Sequence, residues 1–207
     1  MNDMTLQSCR DFAAALASAA PTPGGGGAAA LTGALAAALG SMVANLTIGK
    51  PKFAAAEPML CTLRARCDAL RERLLALVAA DAEGFAPLAA AYRLPKDAPN
   101  RAAILETATR AACEPPLAMV TACGEVIEAA EVLAKEGSPL AVSDAGCAAA
   151  LAVGAMRSAA LNVYINTGSL QDRTAAETLN AQVRALLEQY VPRGNAVTET
   201  VARSLGA

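Results

Sequence analysis

The chain has 207 residues, of which 55% are hydrophobic and only 3% aromatic, and its formal net charge at pH 7 is −2. A weakly acidic chain without a basic run lacks the positive surface of a nucleic-acid-binding protein, so nucleic acid is not an expected partner. Histidine is absent, which excludes a Ser-His-Asp triad, a Cys-His pair and a histidine-ligated metal within this chain. Proton transfer would have to use Asp, Glu, Lys, Tyr, Cys or bound water.

The apolar content predicts helices, because it is carried mainly by Ala, Leu and Val. Alanine is the strongest helix former, and its small side chain lets helix backbones approach closely. The chain is also long enough to bury one substantial core. We therefore predict an all-α fold with residues 1–207 in a single domain, built as a multi-helix bundle of tightly packed Ala- and Gly-rich helices.

Proline and glycine mark the ends of the predicted helices. In chain order, the predicted helices cover about Thr5 to Ala19, the glycine run to Ile48, Ala54 to Ala91, residues 101 to 113, Pro115 to Gly137, Ser143 to Asn166, Arg173 to Tyr190 and Ala196 to Leu205. Ser143 is the predicted N-cap of its helix, since a serine side chain can accept from a free N–H at a helix start.

No charged residue occurs between Phe12 and Gly49, a stretch longer than the ~20 residues that cross a membrane. Prolines and glycines interrupt this stretch, and its second half is mostly alanine, which is weak lipid-facing material. A helix that is apolar all round also suits the centre of a helical assembly. We favour the buried helix and expect no membrane partner.

The N-terminus lacks a basic region before an apolar stretch, so no secretory signal is predicted and a cytoplasmic location is expected. The six cysteines form no CxxC pair. We expect them to be small buried hydrophobic residues in a reducing compartment.

The glycine run Gly24–Gly27 is the first candidate binding element, placed at a predicted helix start after Pro21 and Pro23. Helix N-termini carry unpaired N–H groups and a partial positive charge. Without side chains, this backbone can come within hydrogen-bonding distance of a ligand. Neither glycine-rich nucleotide motif is present. The alternative interpretation is a flexible turn. We predict ligand binding by the residues Pro23, Gly24, Gly25, Gly26 and Gly27.

Two acidic residues interrupt apolar sequence and are candidates for proton transfer. Asp81 follows the apolar stretch 74–80, where a buried carboxylate would need a partner, and the alternative is a solvated residue on the polar side of its helix. Asp144 precedes an uncharged helix, where an acid in the first turn also favours the helix dipole, so a purely structural role stays open.

Polar residues at two further places complete the candidate set. Asn45 and Lys50 lie near the end of the apolar helix and either cap it or line a cleft, with Lys50 available to an anionic substrate. Asn162 and Asn166 are four residues apart, hence on one helix face, and could bind a polar ring.

Three stretches taken together resemble the formiminotetrahydrofolate cyclodeaminase / methenyltetrahydrofolate cyclohydrolase family. They are Ala20–Leu31 continuing to Met42–Lys50, Asp81–Phe85 with Tyr92–Lys96, and Val142–Gly146 with Ala159–Val163. The resemblance spans nearly the whole chain, and the length and the Thr-Pro-Gly-Gly-Gly-Gly form are most like the stand-alone bacterial cyclohydrolases. In one departure, the family usually has a tyrosine where this chain has Phe53.

The resemblance implies an all-helical homodimer or higher homo-oligomer, with a reduced folate bound near a subunit interface and no metal or redox cofactor. It implies hydrolysis of 5,10-methenyltetrahydrofolate to 10-formyltetrahydrofolate. We expect Asp144 to be the general base or to stabilise the cation, Asp81 to be the second acidic group, and Lys50 to bind an anionic or polar part of the folate or to donate a proton. Asn45, Ser143 and Asn162 are expected to bind substrate beside the glycine run. Two carboxylates held close together would separate their pKa values and suit one of them to proton donation.

Two other functions fit the same residues. A cyclodeaminase closes a formimino group onto N10 of the folate and releases ammonia, using the same bridging carbon. A non-catalytic folate-binding helical assembly would fit the Ala-rich helices equally well.

Overall fold

The structure, a computed structural model, describes residues 4–206, and within them it contains seven α-helices, three short 3-10 turns and no strand. The helices are α1 (Cys9–Leu16), α2 (Gly25–Asn45), α3 (Glu57–Tyr92), α4 (Arg101–Ala112), α5 (Glu114–Glu136), α6 (Val142–Ser169) and α7 (Arg173–Ser204). The predicted all-α bundle is confirmed.

Helix α2 lies at the centre of the bundle and packs against α3, α5 and α6. Most of its alanines are buried, and its glycines mark the closest approaches. A Cβ added at Gly33 would lie 3.0 Å from Cys123 Sγ, and one at Gly40 would lie 2.8 Å from Cys67 Sγ. Small residues therefore set the spacing of α2 from its neighbours, as the composition predicts.

Helices α2 and α6 run antiparallel, side by side. Near the end of α2, Val43 and Ala44 share a buried cluster with Ala145 in the first turn of α6. At the other end, the backbone of Gly25 lies against the side chain of Asn162. The start of α2 is therefore beside the second half of α6, and the end of α2 is beside the start of α6.

Three predicted helix boundaries are wrong. Ser143 is not an N-cap, because the 3-10 turn Pro139–Ala141 runs directly into α6 and the helix begins at Val142, with Ala141 in the cap position. The predicted first helix is divided at Ser8, whose side chain accepts from the Asp11 N–H and starts α1 there. The last two predicted helices form one helix, α7, which continues through Pro192.

The buried thiols behave as the sequence predicts for three of the six cysteines: Cys67, Cys113 and Cys123 are buried. Burial raises the pKa of Cys67 and of Cys113 to about 11, and that of Cys123 to about 12. These thiols are therefore poor nucleophiles at neutral pH. Cys9 and Cys147 are exposed instead, and Cys61 is half-buried.

By length and composition alone, three helical stretches are long and apolar enough to cross a membrane: Gly25–Asn45, Glu57–Tyr92 and Pro139–Ser169. More than half of the apolar window in Gly25–Asn45 is buried inside the bundle. Packing against other helices thus accounts for the apolar character of α2, the helix that raised the membrane question.

Candidate active site

A cavity of about 440 Å³ lies at the N-terminal end of α2 and contains much of the predicted site. Its walls come from the approach to α2, the second half of α3, the last residue of α4 and the second half of α6. The residues of the predicted set that line it are Gly24, Gly25, Gly26, Asp81 and Asn162. Pro23 and Gly27 lie directly behind this wall, where a Cβ on Gly27 would be 3.2 Å from Pro23 Cβ.

The Asp81 carboxylate lies against the backbone of the glycine run. A Cβ added at Gly26 would be 2.3 Å from Asp81 Oδ1 and 2.5 Å from Oδ2, so only glycine leaves room for the acid there. The carboxylate thus occupies the positive end of the α2 dipole, where a negative charge is favourable. The glycine run therefore does more than turn the chain, since it admits a carboxylate to the start of a helix.

Burial raises the pKa of the Asp81 carboxyl above its ordinary value, and the backbone N–H of Gly27 offsets part of that rise. No ion pair neutralises Asp81 among residues 4–206. A half-buried acid without a cationic partner holds its proton to higher pH than a surface acid does. Asp81 is therefore suited to exchanging a proton with a ligand in the cavity.

Two asparagine amides of α6 line the cavity, each with one N–H already engaged. Asn162 Nδ2 donates to the Ser158 carbonyl at 2.8 Å, and Asn166 Nδ2 donates to the Ala112 carbonyl at 2.8 Å. Each amide keeps its carbonyl oxygen, an acceptor, and its second N–H, a donor. The α6 wall of the cavity consequently offers two carbonyl acceptors.

Sequence reasoning missed the apolar wall of the cavity, which is built by Phe85, Leu88 and Tyr92 of α3. The signal was present, because these residues follow Asp81 at spacings of four, three and four, which place all of them on one helix face. Pro21 and Ile165 also line the cavity and were not predicted.

The other four predicted residues lie at the opposite end of the bundle. Asn45 ends α2, and Lys50 Nζ lies 3.4 Å from Ser138 Oγ, just before α6. Ser143 is exposed and Asp144 is half-buried, both in the first turn of α6. Phe53, where the family usually has tyrosine, packs at this same end, against the cluster of Val43 and Ala44.

The two ends are far apart within one chain. At 1.5 Å per helical residue, the 20 steps of α2 from Gly25 to Asn45 span about 30 Å, and the 18 steps of α6 from Asp144 to Asn162 span about 27 Å. Asp81 and Asp144 therefore do not meet in one chain, and the close pair of carboxylates expected from the sequence is not formed there.

A second cavity, of about 360 Å³, lies between α5, α7 and the start of α6. Its acidic residue, Glu131, is already paired with Arg193 at 2.9 Å and with Lys135 at 3.3 Å. The lining is otherwise mainly apolar, including Val197 and Val201. Because its carboxylate is neutralised, this cavity lacks the acid that the α2 cavity offers.

Residues 8–185 match the formiminotransferase-cyclodeaminase family. The chain belongs to this family. It is 44% identical to the methenyltetrahydrofolate cyclohydrolase of Methylorubrum extorquens over 92% of this chain and 93% of that protein. It is 32% identical to the formimidoyltransferase-cyclodeaminase of Mus musculus over 88% of this chain, but it spans only 34% of the mouse protein.

The family's fold is also shared in three dimensions. The crystal structure of formiminotetrahydrofolate cyclodeaminase from Thermotoga maritima superposes with a TM-score of 0.85 at 26% identity, covering 96% of this chain and 98% of that one. The resemblance predicted from the three sequence stretches is thereby confirmed.

Proposed function

We propose that this chain is a methenyltetrahydrofolate cyclohydrolase, which hydrolyses 5,10-methenyltetrahydrofolate to 10-formyltetrahydrofolate. The observation that carries the proposal is the 44% identity to the Methylorubrum extorquens cyclohydrolase over nearly the full length of both chains. The cavity at the start of α2, with its half-buried Asp81, supplies a group able to perform the chemistry.

The substrate is already electrophilic, so its carbon needs no activation. The attacking water must lose a proton, and the reaction therefore needs a base. Water adds to the cationic carbon that bridges N5 and N10, and Asp81 accepts one proton of that water as the C–O bond forms. The C–N5 bond of the tetrahedral adduct then breaks, and Asp81 returns its proton to N5. The hydroxyl of the adduct releases its proton to solvent as the C=O bond forms, and the carbon stays on N10 as a formyl group. The Asp81 carboxylate also faces the cationic carbon and stabilises its charge before attack.

The glycine run binds the folate by its backbone. Gly25 and Gly26 form the first turn of α2, where N–H groups have no carbonyl partner inside the helix. They donate to the polar atoms of the folate, while Phe85 and Tyr92 pack against its ring. Asn162 adds an acceptor from α6.

A second copy of the chain completes the site. The outer faces of α2 and α6 form an uncharged surface except for Asp144 and Arg157, and its exposed apolar side chains are Leu35, Met42, Leu151, Leu161 and Ile165. An apolar patch of this kind is typical of an interface between subunits. Two such faces, packed about a two-fold axis, form the homodimer.

The symmetry of the α2 and α6 face accounts for the division of the predicted site residues between the two ends of the bundle. Leu35 is midway between Gly25 and Asn45 on α2, and Gly154 is close to midway between Asp144 and Asn162 on α6. A two-fold axis through these midpoints exchanges the two ends of the face. Lys50 and Asp144 of the second copy, with its Asn45 and Ser143, then lie beside the Asp81 cavity. There Lys50 binds an anionic part of the folate, and Asp144 acts as the second acid.

Several coarser expectations belong to the same proposal. Residues 1–207 act as one domain in the cytoplasm, with the folate as substrate and without a metal, a redox cofactor, nucleic acid or a membrane as partner. The protein then remains in solution after lysis without detergent.

The proposal is tested by hydrolysis of methenyltetrahydrofolate, followed as the loss of its near-ultraviolet absorbance and corrected for the rate in buffer. Asp81→Asn lowers kcat/KM by about 10²- to 10⁴-fold, as expected for loss of an acid-base group. The control is Asp97→Asn, at an exposed acid in the loop after α3, which leaves the rate unchanged. A wild-type protein that does not exceed the buffer rate would refute the cyclohydrolase assignment.

The cyclodeaminase reaction is the second candidate, because the Thermotoga maritima neighbour of nearly identical extent carries that name. The same preparation is assayed for ammonia release from formiminotetrahydrofolate. Release of ammonia without hydrolysis of methenyltetrahydrofolate would assign the chain to the deaminases, whereas saturable folate binding without either reaction would leave a binding protein.

A further inference from the structure

Asn166 lines the same cavity as Asp81, one helical turn beyond Asn162 on α6, and the proposed reaction gives it no task. Its side chain is half-buried and reaches the end of α4. Position, orientation and polarity together define what this amide can recognise.

The orientation of the amide is determined by one hydrogen bond. Asn166 Nδ2 donates to the carbonyl of Ala112 at 2.8 Å, and Ala112 is the last residue of α4. Carbonyls in the last turn of a helix have no partner within the helix, so this bond satisfies an otherwise free acceptor. That bond uses one of the two N–H groups of Nδ2, and no donor among residues 4–206 meets Oδ1, which is left as a free acceptor beside the second N–H.

The α2 wall of the cavity offers donors, whereas the α6 wall also offers acceptors. On the α6 side, Asn162 Nδ2 likewise uses one N–H, so each asparagine keeps its carbonyl oxygen as an acceptor and one N–H as a donor. On the α2 side, the first-turn N–H groups of Gly25 and Gly26 are donors. A ligand that satisfies the two carbonyl oxygens therefore carries donors along the edge that faces α6.

The pterin ring of a reduced folate has such an edge, formed by its 2-amino group and the neighbouring N3–H. We propose that Asn166 is a specificity-determining residue, whose Oδ1 accepts a hydrogen bond from the 2-amino group of the pterin. This inference rests on the proposed function, since it names which part of the folate the α6 wall reads. The bond at Ala112 holds the acceptor in place before the substrate arrives.

A pre-oriented, half-buried acceptor discriminates against a ligand that lacks the matching donor. Such a ligand removes water from Oδ1 and leaves the oxygen unpaired, which costs more than a missing apolar contact. For a half-buried group, we expect a loss of about 10- to 100-fold in kcat/KM when the donor is absent.

The test compares two substrates in wild type and in Asn166→Ala: 5,10-methenyltetrahydrofolate and its analogue with a methyl group in place of the 2-amino group. Wild type prefers the natural substrate by about 10- to 100-fold, and Asn166→Ala reduces that preference to about threefold or less, because the acceptor is gone. An unchanged preference in Asn166→Ala, or none in wild type, would overturn the inference. Failure of wild type to hydrolyse either compound would instead refute the proposed function.

Asn166 also ties α4 to α6, and the control variant Glu106→Ala distinguishes that structural role from recognition of the substrate. Glu106 of α4 accepts from the N–H groups of Gln171 and Asp172, so its loss loosens α4 without touching the cavity. If Asn166 recognises the pterin, the Glu106→Ala variant keeps the substrate preference of wild type. Loss of that preference in Glu106→Ala would indicate a structural effect. Should Asn166→Ala fail to fold, Asn166→Leu removes the acceptor oxygen at similar volume and reduces the preference in the same way, whereas a preference equal to that of wild type would refute the role.

Discussion

At the scale of single residues, Gly26 and Asp81 depend on one another. The carboxylate occupies the space that a Cβ at position 26 would fill, with 2.3 Å between that atom and Asp81 Oδ1. Sequence reasoning placed both residues in the site, on the separate grounds of a helix start and an acid in apolar sequence. The absence of a side chain at Gly26 makes room for the Asp81 carboxylate. This dependence arises from the packing of α2 on α3, which no local sequence pattern encodes.

We expect the pH dependence of kcat/KM to report the raised pKa of Asp81. A general base works only when ionised, so the rate rises with pH as Asp81 loses its proton, with a midpoint above the ordinary aspartate value of about 3.9. The measurement is a pH–rate profile for wild type and Asp81→Asn. The rising limb disappears in the variant, and its persistence there would assign the limb to another group.

The raised pKa of Asp81 also determines how the stability of the protein changes with pH. Because the native state holds the Asp81 proton to higher pH than the unfolded chain does, this contribution to stability is present at low pH and lost as pH rises through the folded pKa. The Asp81→Asn variant has no proton to lose at this position, so it does not lose this stability as pH rises. Its free energy of unfolding at pH 7, measured by denaturant titration, is therefore equal to or above that of wild type, although its activity falls.

At the scale of helices, α7 shows how packing overrides local signals. Pro192 and Gly194 are both poor residues for a helix interior, yet α7 runs from Arg173 to Ser204 without interruption. Pro192 is exposed, while Gly194 is buried against Val153 of α6. The close contact between α6 and α7 requires a residue without a side chain there, and burial along the whole helix outweighs its low propensity.

Gly194→Ala therefore destabilises the protein, although alanine is the better helix former. The new Cβ would lie 2.4 Å from Val153 Cγ2, and relieving that overlap costs about 1–3 kcal/mol, more than the ~1 kcal/mol gained in propensity. The measurement is the midpoint of denaturant unfolding. Gly168→Ala in α6, where no atom lies within 4 Å of the added Cβ, is the matched control and does not lower the midpoint. Equal behaviour of the two variants would contradict the packing argument.

At the scale of the whole molecule, the predicted site residues divide between the two ends of the bundle. Within one chain, Asp144 and Asn162 are about 27 Å apart along α6. The proposed two-fold dimer converts that separation into proximity, because the end of one copy meets the start of the other. Each active site then takes Asp81 from one copy and Asp144 from the second.

Complementation between inactive variants tests this arrangement. Asp81→Asn and Asp144→Asn are each inactive alone, but in a mixed dimer one of the two sites contains both native acids. Random pairing makes about half of the dimers mixed, so co-expression restores about a quarter of wild-type activity. The measurement is the hydrolysis rate of the purified mixture.

A charge on the shared face abolishes that recovery. Leu35 is exposed at the midpoint of α2, and Leu35→Glu in both variants separates the copies, which light scattering detects as a monomer. Ile104→Glu, at an exposed apolar residue of α4, is the control and leaves the dimer intact. Recovery of activity by a monomeric mixture, or no recovery by an intact mixed dimer, would show that the sites are not shared.

From the sequence alone follow the all-α fold, the helix start at the glycine run, and the choice of Asp81 and Asn162 as candidate site residues, because composition, proline positions and apolar context are local properties. The tertiary structure was needed to show that α7 is continuous and that Asp81 lies against Gly26. It was also needed to place Phe85 and Tyr92 in the wall of the same cavity, and Lys50 and Asp144 at the other end of the bundle. Those facts depend on which helices pack side by side and in which direction, and the antiparallel packing of α2 on α6 is set by contacts between residues more than a hundred positions apart.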